Sequence, residues 1–161
     1  MDKNTLPLIL VEASEQDIAS LCGWFVSFDE IRDWGGPNIS FPISSRSLIV
    51  ETKLAQGRSY KLIDTKNNML AFGQCYERLG RCHLARLVVN PQNRGCGVGK
   101  QLVKQLLTQA PEYLVTKGFS LFVWPHNKVA KKLYQSLGFR RVNYPESITP
   151  EMAKCDYLIK D

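Results

Sequence analysis

The chain has 161 residues, 44% of them hydrophobic, which is the size of one domain spanning 1–161 with enough apolar side chains for a packed core. A net charge of +6, scattered except for KVAKK (128–132) and RR (140–141), lacks the dense basic stripe of a nucleic-acid binder, and no apolar run nears the ~20 residues that cross a bilayer. Five cysteines without a CxxC pair and two histidines suggest neither a disulfide framework nor a zinc site, so free thiols, a cytoplasmic location and no metal are expected.

Residues 6–13 read as a first strand; the apolar run is too short for a secretory leader and passes straight into acidic residues. Residues 14–25 follow as a helix with Ser14 as N-cap and Asp17 favouring the helix dipole. A second helix is expected over 28–34, stopped by Gly35 and Gly36, and a third over 44–57, stopped by Gly57. The period then becomes two. Strands are predicted over 59–64, 69–79 and 81–90, joined by tight turns. A helix carries Val98, Leu102, Val103, Leu106, Leu107 and Ala110 on one face; Pro111 either kinks it or starts a second piece running to Lys117. Residues 119–124 are almost wholly apolar, as in a central strand. Asn127 and Gly138 suit the two ends of the next helix, and strands over 139–144 and 154–160 close the chain. The sum is a mixed α/β domain, antiparallel strands first and then strand–helix–strand–helix–strand.

Between the third long strand and its helix lies NRGCGVGKQL, residues 93–102. An ATP P-loop registered on Gly99-Lys100 would need glycine at 94 and a hydroxyl at 101, where Arg94 and Gln101 stand. A dinucleotide turn starting at Gly95 and Gly97 would need glycine where Lys100 stands, and would open a parallel sheet rather than follow hairpins. Glycines at a helix start still suit an anion, because bare backbone N–H groups can face it and the dipole adds attraction.

RGCGVG matches Q/R-x-x-G-x-G/A through Arg94, Gly97 and Gly99, and so resembles the pyrophosphate loop of the GNAT acetyltransferase superfamily. LARLVVNPQNRG, before it, resembles that family's fourth strand, and NKVAKKLYQSLGF (127–139) resembles its N-x-x-A-x-x-L-Y-x-x-x-G-F segment. The resemblance implies the GNAT fold: a mixed, mostly antiparallel twisted sheet of about seven strands with flanking helices, strands four and five splayed to admit acetyl-CoA. It further implies that backbone groups of Leu87, Val88 and Val89 bind the pantetheine arm. Arg94, Gly95, Cys96, Gly97, Val98, Gly99 and Lys100 would wrap the pyrophosphate, and Asn127 would touch the pantetheine. For Asn127 a plain N-cap role is the alternative, and for Lys100 a solvated first-turn lysine.

Asn127 and Tyr134 are seven residues apart, two helical turns, hence on one face. In the family this tyrosine protonates the departing thiolate, and a phenol, neutral at pH 7, is able to donate; the alternative for Tyr134 is a core aromatic. The strand-five glutamate that some members use as base is Phe122 here, which leaves His83 and Glu77 as candidates. The Val89 N–H would stabilise charge on the thioester oxygen. The acceptor wall falls in 24–42, where Trp34 and Glu30 are the candidate contacts with a cationic amine. Cys96 lies away from the expected thioester, so a covalent enzyme intermediate is not expected. The implied activity is acetyl transfer to a primary amine of a small molecule or protein by direct attack in a ternary complex. The alternative is a non-catalytic acyl-CoA-binding or sensing domain. Homodimers are common in the family, although no stretch here specifies one.

Overall fold

A computed structural model describes residues 7–53, 58–115 and 117–161. Its main elements are β1 (Ile9–Glu12), α1 (Glu15–Cys22), α2 (Phe28–Gly35), α3 (Ser45–Glu51), β2 (Arg58–Ile63), β3 (Met69–Arg78) and β4 (Arg81–Val89). They continue with α4 (Val98–Gln109), β5 (Phe119–Val123), α5 (Lys128–Ser136), β6 (Arg140–Val142) and β7 (Asp156–Lys160). The seven strands form a sheet in the order β1-β2-β3-β4-β5-β7-β6. β1–β2, β5–β7 and β6–β7 pair antiparallel, while β4–β5 is parallel. This is the mixed, mostly antiparallel sheet with flanking helices that the sequence predicts.

Local chemistry sets the helix ends. The Ser14 backbone N–H donates to the Asp17 carboxylate at 2.8 Å, which fixes the start of α1, and Asp17 also receives the Lys61 ammonium at 2.9 Å. α1 stops at Cys22, three residues short of the expected end, because Gly23 takes the C-cap and releases Trp24 into the core. The Gly35–Gly36 pair breaks α2 one residue later than expected: Gly35 is still helical, and Gly36 turns the chain at φ 92°. α3 ends at Glu51, and the predicted stop, Gly57, lies outside the described residues. Pro111 does not kink α4. The helix has ended at Gln109, and Pro111 leads into a single short turn, Glu112–Leu114, rather than a piece reaching Lys117.

The chain divides into two compact units, Met1–Gln74 with Arg86–Leu106, and Cys75–Ala85 with Leu107–Asp161. The first is built on Ile18, Leu21, Trp24, Ile31, Ile39, Leu48 and Phe72, all buried together. In the second, Leu84, Phe119, Leu121 and Leu158 are buried. There the parallel register runs from Cys82↔Phe119 to Leu84↔Leu121, and β4 continues beyond it to Val89.

Shortly past that register, Arg86 adopts φ 51°, a left-handed conformation inside a strand. The pleat slips there. Cys82 shares a hydrogen bond with Cys75, and the Leu87 side chain lies against Gly73, where an added Cβ would come within 2.7 Å of it. Both β3 partners are odd-numbered, yet the β4 residues are one even and one odd. Strict alternation cannot place both on one face of β4.

Candidate functional site

The first unit holds the glycine turn. Gly95 and Gly97 have φ 76° and 79°, and a Cβ built on either would meet nothing within 4 Å. These glycines are therefore needed for backbone conformation, and their faces are open. Arg94, Gly95, Cys96, Gly97 and Lys100 are exposed, whereas Val98 is buried and anchors α4 below them. α4 begins at Val98, so its first amide groups are among those without an intrahelical acceptor. An open run of amides ahead of a twelve-residue helix, flanked by Arg94 and Lys100, is chemically suited to a multiply charged anion. The Cys96 thiol leans on the Arg94 carbonyl at 3.6 Å.

Leu87, Val88 and Val89 lead into this turn and are each half-buried. Val88 packs on the same core cluster as Trp34. The Trp34 indole N–H donates to the carbonyl of Arg86 at 2.7 Å, and its ring meets Phe25 at 4.8 Å and Phe72 at 6.3 Å. The Arg86 guanidinium donates to Gln74 Oε1 at 2.9 Å, and the buried Gln74 amide reaches the Thr52 carbonyl at 3.1 Å and Ser59 Oγ at 2.8 Å. The structure thus brings Trp34 to the strand that carries Leu87–Val89. Glu30 is elsewhere on α2, exposed, with its carboxylate accepting from the Val26 N–H at 2.9 Å and capping the helix start.

The second unit holds His83, Glu77, Asn127 and Tyr134. His83 is 2% exposed; its Nδ1 is 2.8 Å from Ser120 Oγ, and its ring lies 5.2 Å from both Tyr76 and Phe122. Glu77 projects to the opposite side of β3 from Tyr76, is exposed, and accepts from the Gly80 N–H at 2.6 Å in the β3–β4 turn. His83 and Glu77 are not gathered into one cluster. Asn127 caps α5, its Oδ1 accepting from the Ala130 N–H at 3.2 Å. Tyr134 is buried at 8% exposure with its ring edge-on to Phe139 at 6.0 Å, and burial pushes its phenol up to about 12. A phenol so placed stays protonated across the physiological range.

One tie on α5 escapes sequence reasoning. Asp156 of β7, 5% exposed, receives the Lys131 ammonium at 2.7 Å and the Arg141 guanidinium at 3.3 Å, which binds α5 and β6 to β7 one helical turn from Tyr134. Ser120 was equally hidden: a lone hydroxyl in FSLFVW, two residues before Phe122, is the only signal for it. No group of three or more His, Cys, Asp or Glu side chains able to hold a metal occurs among the described residues, and none of their helices is long and apolar enough to cross a membrane.

The model of the "Acetyltransferase (GNAT) family" matches residues 28–139. The chain is 32% identical over 88 residues to "[Ribosomal protein bS18]-alanine N-acetyltransferase" of Haemophilus ducreyi, covering 53% of this chain and 58% of that protein, so it spans less than two thirds of that relative's length. Among solved structures, spermidine N-acetyltransferase from Vibrio cholerae in complex with CoA and spermine aligns with TM-score 0.70 at 17% identity, over 94% of this chain and 92% of the other. The ribosomal-protein-S18-alanine N-acetyltransferase from Escherichia coli aligns with TM-score 0.61 at 20% identity, over 95% and 90%.

Proposed function

The chain belongs to the GNAT acetyltransferase family, and from that premise we propose that it is a cytoplasmic N-acetyltransferase carrying acetyl from acetyl-CoA to a primary amine by direct attack in a ternary complex. The observation that carries the reading is the pair of left-handed glycines, Gly95 and Gly97, whose open faces present backbone amides ahead of α4. In this reading Arg94 to Lys100 hold the diphosphate, Leu87 to Val89 hold the pantetheine arm through backbone groups, and Asn127 touches it. Acetyl-CoA supplies an activated acyl group as a thioester.

The chain's own groups then divide the proton work. The Val89 N–H stabilises charge on the thioester oxygen. Tyr134, kept neutral by burial, donates to the departing sulfur. His83 is the favoured base of the two candidates: its imidazole is oriented by Ser120 Oγ at Nδ1, whereas the Glu77 carboxylate is engaged by a turn amide. Trp34 acts on the acceptor side through α2, with Glu30 at its N-terminal end.

The test is release of coenzyme A thiol from acetyl-CoA over a panel of small amines, spermidine and peptides with free N-termini. Turnover with at least one amine is expected. Tight acetyl-CoA binding with no turnover on any acceptor would point to the sensing alternative instead.

A further inference from the structure

Arg78, the last residue of β3, is a cation held by aromatic rings. Its guanidinium carbon lies 5.1 Å from the centre of the Phe122 ring and 5.7 Å from that of Tyr76. Its terminal nitrogens reach the Tyr144 hydroxyl at 3.5 Å and the Tyr76 hydroxyl at 3.4 Å, both at the weak limit of hydrogen bonding. No carboxylate pairs with it among the described residues, although ion pairs serve the guanidinium groups of Arg32, Arg81, Arg140 and Arg141. Phe122 in turn meets His83 at 5.2 Å, Tyr144 at 5.5 Å and Tyr157 at 5.3 Å. Arg78, Tyr76, Phe122 and Tyr144 are all half-buried, so the bracket is reachable from solvent.

An arginine has five fixed N–H donors and is never deprotonated in a protein. Ring faces offset part of the desolvation of such a charge but offer it no strong acceptor, and two long phenol contacts leave most donors weakly used. The bracket is rigid, because each ring is braced by another, and a planar fork held in place is pre-organised for a carboxylate. We propose that Arg78, set in the Tyr76–Phe122–Tyr144 bracket, binds the carboxylate of an acceptor that carries both an amine and an acid, so that the substrate is of the amino-acid class rather than a polyamine. This deepens the acetyl-transfer reading and rests on it: two rings of the bracket, Tyr76 and Phe122, each lie 5.2 Å from His83, the favoured base, so an acid gripped by Arg78 leaves its amine on the side of the group that would deprotonate it. A guanidinium at this place would also repel a polycation.

The experiment pairs acids with their own amides: glycine, β-alanine and 4-aminobutyrate against glycinamide, β-alaninamide and 4-aminobutanamide, with spermidine as a carboxylate-free acceptor. Coenzyme A release is measured for the unsubstituted protein, Arg78→Met and Arg78→Lys, with circular dichroism confirming that the variants fold. At least one acid is expected to exceed its amide about tenfold or more in kcat/KM, the worth of a charge-assisted hydrogen bond. That ratio falls to near one in Arg78→Met and to an intermediate value in Arg78→Lys. Equal use of acid and amide, turnover confined to spermidine, or a ratio that survives Arg78→Met overturns the proposal while leaving acetyl transfer intact. If no amine is turned over, acetyl transfer fails, and ligand-observed NMR of the three acids decides the anion site separately. Binding weakened tenfold in Arg78→Met upholds it, and absent or Arg78-independent binding overturns it.

Discussion

The indole N–H of Trp34 and the carbonyl of Arg86 meet at 2.7 Å, joining a helix end to the one left-handed residue of β4. A residue at φ 51° breaks the regular ladder, and a half-buried carbonyl outside the ladder needs a donor from somewhere. Trp34 is that donor. Trp34→Phe keeps most of the ring packing on Phe25 and Phe72 and removes the N–H, so it should destabilise the protein by about 1–3 kcal/mol. Urea unfolding measures this. Under the proposed function the KM for acetyl-CoA should rise as well, since Leu87–Val89 follow directly.

Tyr134→Phe should lower kcat at least tenfold and leave the KM for acetyl-CoA within about twofold, the low end of what a general acid contributes. An unchanged kcat would show that the phenol is merely a core aromatic.

The same phenol has a stability signature. Its folded pKa, about 12, is raised above the ordinary tyrosine value, so between pH 10 and 12 the unfolded chain has lost the proton while the folded one keeps it. Stability from this group is complete below pH 10 and drains away as pH rises towards 12. Tyr134→Phe should therefore lose less stability than the unsubstituted protein across that window. Denaturant midpoints at pH 8, 10 and 11 would read it.

At Asp17 the sign is opposite. Burial works against its charge, but the Ser14 backbone N–H and the Lys61 ammonium outweigh it, and the pKa lies below the ordinary carboxylate value. Its contribution is present above pH 4 and is lost as pH falls through the lowered value. Asp17→Asn should cost about 1 kcal/mol at pH 7, the worth of a helix start, and less at pH 3. Equal losses at both pH values would exclude a role for the charge.

Gly97→Ala separates backbone strain from ligand contact. With φ 79° and nothing near the added methyl, the fold should lose about 1–2 kcal/mol from conformation alone. Gly36→Ala, equally open but at φ 92° and ψ 179°, a region reserved for glycine, carries at least as much strain at the end of α2. If Gly97 faces the diphosphate, the KM for acetyl-CoA rises about tenfold or more in Gly97→Ala and stays near normal in Gly36→Ala. A similar KM in both would remove the cradle.

The elements were legible where a local rule governs them: Ser14 and Asn127 start helices, and period-two runs give β2, β3 and β4 within a residue or two. Gly97 could be singled out because glycines at a helix start leave bare amides to face an anion. Arg78 and Ser120 could not, since their meaning comes from rings and an imidazole brought to them by other strands. Arg86 was invisible for a different reason. Nothing in an arginine announces φ 51°; Gln74 and Trp34, distant in sequence, hold it there.

That single out-of-step residue decides more than its own conformation. Were β4 to keep its frame through position 86, the side chain at 88 instead of 87 would be driven at Gly73, and the amides and carbonyls of 87–89 would exchange inward for outward directions. Deleting Arg86 itself would remove the extra residue and set Leu87 directly after Ala85 in strict alternation, on the face it already occupies. A strand's polarity of presentation is thus stored in one torsion angle, guarded by an indole and an amide.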